Sequence, residues 1–266
     1  MIVALFLVLC LHVVPAHAMQ QQDVNEDPQQ GFPQPAPTLP GEPDPLPDLR
    51  TLSPFNLVLV EIPSSGRRLL RFSNSISNEG LIDLRLTGRY DHHADAYEVA
   101  QYLPNADGNF GFFALGERHI EYHPEHYHWH LDDFARYEVW TAAPGGVLRD
   151  LVRTNGKVSY CIMDTDRLAG TNQASGYHSC GPALQGLSVG WADTYERHLP
   201  GQWVDISGLP DGFYALRSIV DPGNFLHELD DANNDVIVMF YLHEGSLKNI
   251  QAESIDWLQT RPQPEN

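Results

Sequence analysis

Basic residues are scarce: 16 Lys and Arg stand against 35 Asp and Glu, a net charge of −19 over 266 residues. Such a chain offers no positive field to nucleic acid or to an anionic membrane surface, so neither is expected as a partner. Cations, amines among them, are drawn to it instead. Sustained helical periodicity is also lacking, and 20 Pro with 21 Gly exceed what a coiled coil or helical bundle carries. No internal repeat and no Asn-x-Ser/Thr acceptor for N-glycosylation occur. The 42% hydrophobic content nevertheless suffices for a real core, which excludes a chain disordered throughout, and the length suggests one or two domains.

Residues 1–18 read as a signal peptide. Ile2 to Val14 is apolar apart from His12, too short a run to span a membrane, and Ala16-His17-Ala18 has the small-x-small form of a cleavage site. No later run reaches spanning length, so secretion to the extracellular space is expected. Cysteine is sparse, with three residues, and removal of the leader takes Cys10 with it. Cys161 and Cys180 then read as one disulfide in an oxidising compartment, worth about 3 kcal/mol in the chain-entropy model, or else as two buried thiols.

Residues 19–47 form a Pro-rich, acidic linker or propeptide-like arm that cannot bury a core. A β-rich domain is expected over 48–245 and a C-terminal tail over 246–266. Short β-branched or Leu-rich runs mark strands at Asn56–Ile62, Arg68–Phe72, Ile82–Leu86, Phe134–Trp140, Val158–Met163, Gln202–Ile206, Phe213–Val220 and Val236–Leu242. Turn signals such as Leu209-Pro-Asp-Gly212 separate them. One short helix is predicted around Ala94–Leu103. The fold class is therefore all-β, a β-sandwich with long loops and little helix.

Five of the eleven histidines beyond the leader fall within twelve residues: His119, His123, His126, His128 and His130. The last three alternate with Tyr127 and Trp129. Extended backbone would place the three imidazoles on one face and the two aromatics on the other. Imidazole suits Cu, Zn, Ni and Fe, with Cu(II) highest in the affinity order. Two ligands at i and i+2 share an ion easily, whereas a third at i+4 requires a bend. His119 and His123 are spare ligands or, on the plainer reading, surface residues.

The stretch His126-Tyr-His-Trp-His130 with Asp132-Asp133-Phe134 and Tyr137 resembles the copper-binding segment of the lysyl oxidase family. The likeness continues in order. Gly156-Lys157-Val-Ser-Tyr-Cys161 with Asp164-Thr165 resembles the segment carrying the family's cofactor lysine. Gln185-Gly-Leu-Ser188, Gly190 and Asp193-Thr194-Tyr195 resemble the one ending in its cofactor tyrosine. Gln202-Trp203-Val-Asp205-Ile and Glu228-x-Asp230-x-x-Asn233-Asn234 complete a series covering about Asp48 to Leu242.

That resemblance implies a copper amine oxidase with copper on His126, His128 and His130. Its lysine tyrosylquinone would be made by joining Lys157 to Tyr195. Primary amines and O2 would be the substrates, and aldehyde, ammonia and hydrogen peroxide the products. Asp193, two residues before Tyr195, is the candidate base. Lysine-rich cationic proteins and polyamines suit the charge. The family's vertebrate members also imply a calcium site at Asp48, Leu49 (through its carbonyl), Glu228, Asp230, Asn233 and Asn234, where a solvated acidic turn is the plainer reading.

Departures mark a divergent member: one residue fewer follows the triad before the Asp-Phe pair, Trp191 stands where vertebrate members have cysteine, and only one disulfide can form. Two other classes fit the triad alone, a secreted His-rich copper or zinc binding protein without quinone catalysis and a zinc hydrolase.

Overall fold

The computed structural model describes residues 45–93, 95–104, 109–124, 126–143, 146–155 and 158–249. The expected signal peptide, residues 19–44 of the Pro-rich arm, the tail beyond 249 and Lys157 lie outside the described residues.

Among the described residues sixteen strands run in chain order: β1 (Leu49–Thr51), β2 (Phe55–Ile62), β3 (Arg67–Asn78), β4 (Leu84–Asp91), β5 (Ala96–Pro104), β6 (Phe110–His123), β7 (His128–Ala142) and β8 (Leu148–Thr154). Then follow β9 (Val158–Tyr160), β10 (Asp166–Arg167), β11 (Gln185–Leu187), β12 (Trp191–Tyr195), β13 (Trp203–Asp205), β14 (Gly212–Val220), β15 (Asp235–His243) and β16 (Ser246–Asn249). A single 3-10 turn at Asp231–Asn233 is the only helical element among the described residues.

The strands form two antiparallel sheets. The smaller has the order β1-β3-β12-β10, with β2 and β13 also on β3; the larger has the order β11-β4-β5-β6-β7-β14-β15-β16, with β8 and β9 also on β7. Leu70, Phe72, Ile76, Tyr195 and Val204 of the smaller sheet share one core with Phe134, Tyr137, Val139, Leu216 and Phe240 of the larger. The Phe72 and Tyr137 rings meet edge to face at 4.7 Å between centroids. The all-β sandwich expected from the strand and turn pattern is the fold found.

The predicted helix around Ala94–Leu103 is instead strand β5. A register shift between Glu98 and Ala100 puts Val99, Ala100 and Gln101 all in buried positions. A bulge of this kind changes the phase of the alternation, and the apolar residues then fall at spacings that imitate a helix. Strand β3 extends to Asn78, well past the expected Phe72, although its second half is polar. Those polar groups are buried and bonded: Ser75 Oγ to Thr194 Oγ1 at 2.7 Å, Ser218 Oγ to Asn74 Oδ1 at 3.0 Å, and Asn78 Nδ2 to Leu187 O at 2.9 Å. At the C-terminal end, β16 pairs with β15, from Phe240↔Asn249 to His243↔Ser246, so the sheet runs past residue 245.

The topology brings three segments together. Strand β7 begins at His128, β9 pairs with it through Leu131↔Tyr160 and Ala135↔Val158, and β12 of the opposite sheet ends at Tyr195.

Candidate metal and cofactor site

The histidines sit on a tight hairpin. Strands β6 and β7 pair from Ile120↔Leu131 to His123↔His128. In the intervening turn, His126 N and Tyr127 N donate to His123 O at 3.1 and 2.9 Å. Tyr127 has φ +60°, a left-handed conformation that few non-glycine residues adopt. This supplies the bend that an i, i+2, i+4 triad needs. His126 and Tyr127 therefore belong to a turn and not to an extended strand, and the alternating-face reading holds only from His128 onward. Tyr127 is 83% exposed, while Trp129 packs edge-on against Tyr97 and Tyr122.

Four imidazoles cluster as a result. His123 stacks on His130 with ring centroids 4.6 Å apart, His126 lies 4.9 Å from His130, and His128 lies 4.8 Å from His130 and 5.5 Å from His126. His126 Nδ1 and His130 Nε2 approach to 3.2 Å. Ligand nitrogens of His123, His126 and His130 all fall within 4.8 Å of one another. His123 was read from sequence as a surface residue, yet it is half-buried and its Nδ1 is buried without a hydrogen bond. The signal for it was its place as hairpin partner of His128 across the turn. His119 stays outside the cluster, its backbone N–H bonded to Asp132 Oδ1 at 3.0 Å.

Burial favours the neutral form of His128 and His130, the form that ligates metals. Burial, aided by His123, His126 and His128, pushes His130 down to about 3. Burial and His123 likewise lower His128. The other ring nitrogen of His130, Nδ1, bonds Ser159 Oγ of β9 at 3.1 Å and fixes the ring's orientation. This set of close nitrogens, with His123 Nδ1 buried and unpaired, fits a copper or zinc ion.

The bend makes a prediction. Tyr127→Val should weaken metal binding about 10-fold, because a β-branched residue resists left-handed backbone by ~1–2 kcal/mol, whereas Tyr127→Gly should not. Competition titrations with Cu(II) measure this; equal affinities for the two variants would mean that the bend does not bring His126 in.

Tyr195 faces the histidines. A cleft of about 140 Å³ is lined by His123, His126, His130, Val158, Ser159 and Tyr195, with others at its edges. Drug-sized ligands need roughly 300 Å³ or more, so this space suits a slender chain such as an alkylamine. The Tyr195 ring stands 3.9 Å from that of Tyr160, and its Oη accepts from Cys161 N at 2.7 Å. Burial, with the Asp193 carboxyl beside it, pushes the Tyr195 phenol well up.

Asp193 is fully buried in the same strand but is not among the residues lining the cleft. Burial, only partly countered by the Met163 amide, pushes its carboxyl well above the usual range. Cys161 and Cys180 are joined as a disulfide, with Cα atoms 5.3 Å apart.

The residues of the implied calcium site also converge. Glu228 accepts from Leu49 N at 2.8 Å and from Asn234 Nδ2 at 2.6 Å, while Asn233 Nδ2 donates to Asp48 Oδ1 at 3.0 Å. Asp230 caps the 3-10 turn, its Oδ1 accepting from Ala232 N at 2.9 Å. The side-chain oxygens of Asn233 and Asn234 are buried with no hydrogen-bond donor, which fits a hard cation.

Fold and site together define an all-β protein with a cluster of four histidines suited to a transition metal, three of which line a cleft with a buried tyrosine. Comparison with known proteins agrees with that class. The family model described as lysyl oxidase matches residues 99–251, more than half of the chain. The chain belongs to the lysyl oxidase family. It is 31% identical to lysyl oxidase homolog 1 of Homo sapiens over 156 residues, 58% of this chain and 24% of that protein. To protein-lysine 6-oxidase of Sus scrofa it is 34% identical over 120 residues, 44% of each. To lysyl oxidase homolog 4 of Mus musculus it is 30% identical over 176 residues, 66% of this chain and 19% of that protein. The match thus spans less than half the length of each of these relatives.

Proposed function

We propose that the chain is a secreted copper amine oxidase. It would convert a primary amine, O2 and water to an aldehyde, ammonia and hydrogen peroxide. One observation carries the reading: Val158, the residue after Lys157, lines the same cleft as Tyr195, His126 and His130. Copper is assigned to His126, His128 and His130, with His123 alongside, and Lys157 and Tyr195 to the lysine tyrosylquinone. Together these groups would supply an electron sink for oxidation of the amine at the expense of O2.

The chain's own residues do the rest. The Cys161 amide holds the Tyr195 oxygen, and Tyr160 packs behind the ring and keeps water from that side. Ser159 holds His130 in its ligating orientation. Asp193, two residues before Tyr195 in β12, is assigned as the base that takes the substrate α-proton; burial raises its carboxyl, which makes the carboxylate form a strong proton acceptor. Peptidyl lysine and small cationic amines, polyamines included, match the narrow cleft and the charge of −19. The leader-like residues 1–18 and the disulfide support secretion.

The test is an oxygen-electrode assay on the copper-loaded chain with n-butylamine and a lysine peptide. Amine-dependent O2 uptake with equal yields of aldehyde and peroxide is expected. Absence of uptake from protein holding one copper per chain would overturn the oxidase reading in favour of a copper or zinc binding protein without catalysis.

Calcium is assigned to Asp48, the Leu49 carbonyl, Glu228, Asp230, Asn233 and Asn234. Burial pushes the Glu228 carboxyl up to about 8 from its ordinary 4.5. Folded protein therefore binds a proton that the unfolded chain has released, and stability falls as pH rises from about 5 to 8, by at most ~1.4 kcal/mol per pH unit. In chelator, Tm should fall across that window. Millimolar Ca2+ should raise Tm most at the alkaline end, since it replaces the proton as the partner of the carboxylate. A calcium effect that is nil, or equal at pH 5 and pH 8, would contradict the assignment.

A further inference from the structure

A second set of metal donors adjoins the histidine cluster. Ligand atoms of His128, Cys161 and Cys180 lie within 4.8 Å of one another. Met163 adds a thioether, its Sδ 3.6 Å from Cys180 Sγ. The Cys180 segment is tied to the histidine strand, since Trp129 N donates to Cys180 O at 3.2 Å. With the two sulfurs bonded to each other, neither is a metal ligand. In the dithiol state the two sulfurs part from bonding distance, and two thiolates, a thioether and an imidazole are left as neighbours able to surround one ion. Thiolate and thioether are soft donors that select Cu(I), whereas the all-nitrogen cluster beside them favours Cu(II).

We propose that the dithiol form of the chain holds Cu(I) on Cys161, Cys180 and His128, with Met163 as an auxiliary ligand, and that closing the disulfide delivers the copper to the neighbouring histidines. His128 is a donor of the sulfur set and a neighbour of the histidine set, its ring 4.8 Å from that of His130, so the ion passes between them without leaving the protein. The proposal rests on reading the histidine cluster as the copper site. The step balances with a small disulfide as oxidant. One thiolate attacks RSSR and expels RS⁻, and the second thiolate displaces the other RS⁻ as the Cys161–Cys180 bond forms. The Cys pair is oxidised by two electrons, RSSR is reduced to two thiolates, and Cu(I) is released from sulfur unchanged in oxidation state.

The experiment uses the full mature chain, metal-free and under argon, with and without prior reduction by a phosphine that is then removed. Cu(I) is titrated in competition with bicinchoninate. The dithiol form should take one Cu(I) about 100-fold more tightly than the disulfide form, and His128→Ala should weaken that binding about 10-fold. X-ray absorption should show sulfur neighbours. Adding oxidised glutathione should release two equivalents of thiol and replace sulfur by nitrogen around copper that stays bound.

Equal Cu(I) affinity in the two redox forms would overturn the proposal. So would an unchanged affinity in reduced His128→Ala, which would mean that two cysteines in any conformation suffice. Loss of copper to solvent on oxidation would overturn the hand-over. Cu(II) paramagnetic resonance of the disulfide form, with nitrogen couplings, reports on the histidine cluster separately, so failure there is distinguishable from failure of the thiol site.

Discussion

Tyr195→Phe is expected to reduce amine-dependent O2 uptake to background while leaving the copper content unchanged. The substitution keeps the ring that stands 3.9 Å from Tyr160 and removes only the oxygen that accepts from Cys161 N. A quinone cannot be built on a ring that lacks its phenol. Leaving the buried Cys161 N–H unpaired costs roughly 1–3 kcal/mol, a drop of several degrees in Tm that a folded domain of this size can absorb. Visible absorption of the quinone, copper analysis and a melting curve check the three parts. Residual quinone absorbance in this variant would place the cofactor on another residue.

His130→Ala should abolish copper retention. His130 is the most buried of the four histidines, at 1% exposure, and the one anchored from behind by Ser159 Oγ. Losing a ligand in such a position is expected to cost well over the ~10–100-fold typical of a supporting contact. His128→Ala should likewise abolish retention and, with it, quinone formation. His123→Ala should weaken binding by about 10-fold or less if His123 is a neighbour rather than a ligand. Metal analysis after dialysis ranks the variants; full retention in His128→Ala with loss in His123→Ala would move the third ligand across the hairpin.

Much of this site is legible in the residues, and the exceptions have physical causes. His126, His128 and His130 are visible because unbroken His-x-His-x-His has few uses other than metal ligation. His123 is not, since its membership depends on a hairpin whose turn is closed by Tyr127 in left-handed backbone, a conformation that tyrosine does not advertise. The strands of the larger sheet show themselves as apolar runs at β14 and β15. Strand β5 does not, because a bulge shifts its phase. The polar half of β3 is hidden for another reason: its serines and asparagines are held by hydrogen bonds to β1, β12 and β14, and not by hydrophobicity. The convergence of Asp48 with Glu228 and Asn233 spans some 180 residues of chain, and nothing local to either segment points to the other.

The central claim is a cofactor made from Lys157 and Tyr195, and it is tested most directly by a mass-spectrometric peptide map of the copper-loaded mature chain. A single cross-linked species joining the Lys157 and Tyr195 peptides, oxidised and reactive toward a carbonyl reagent, is the expected result. Two separate, unmodified peptides from fully metallated protein would contradict it, and would leave a lysyl oxidase fold that binds metal without the quinone.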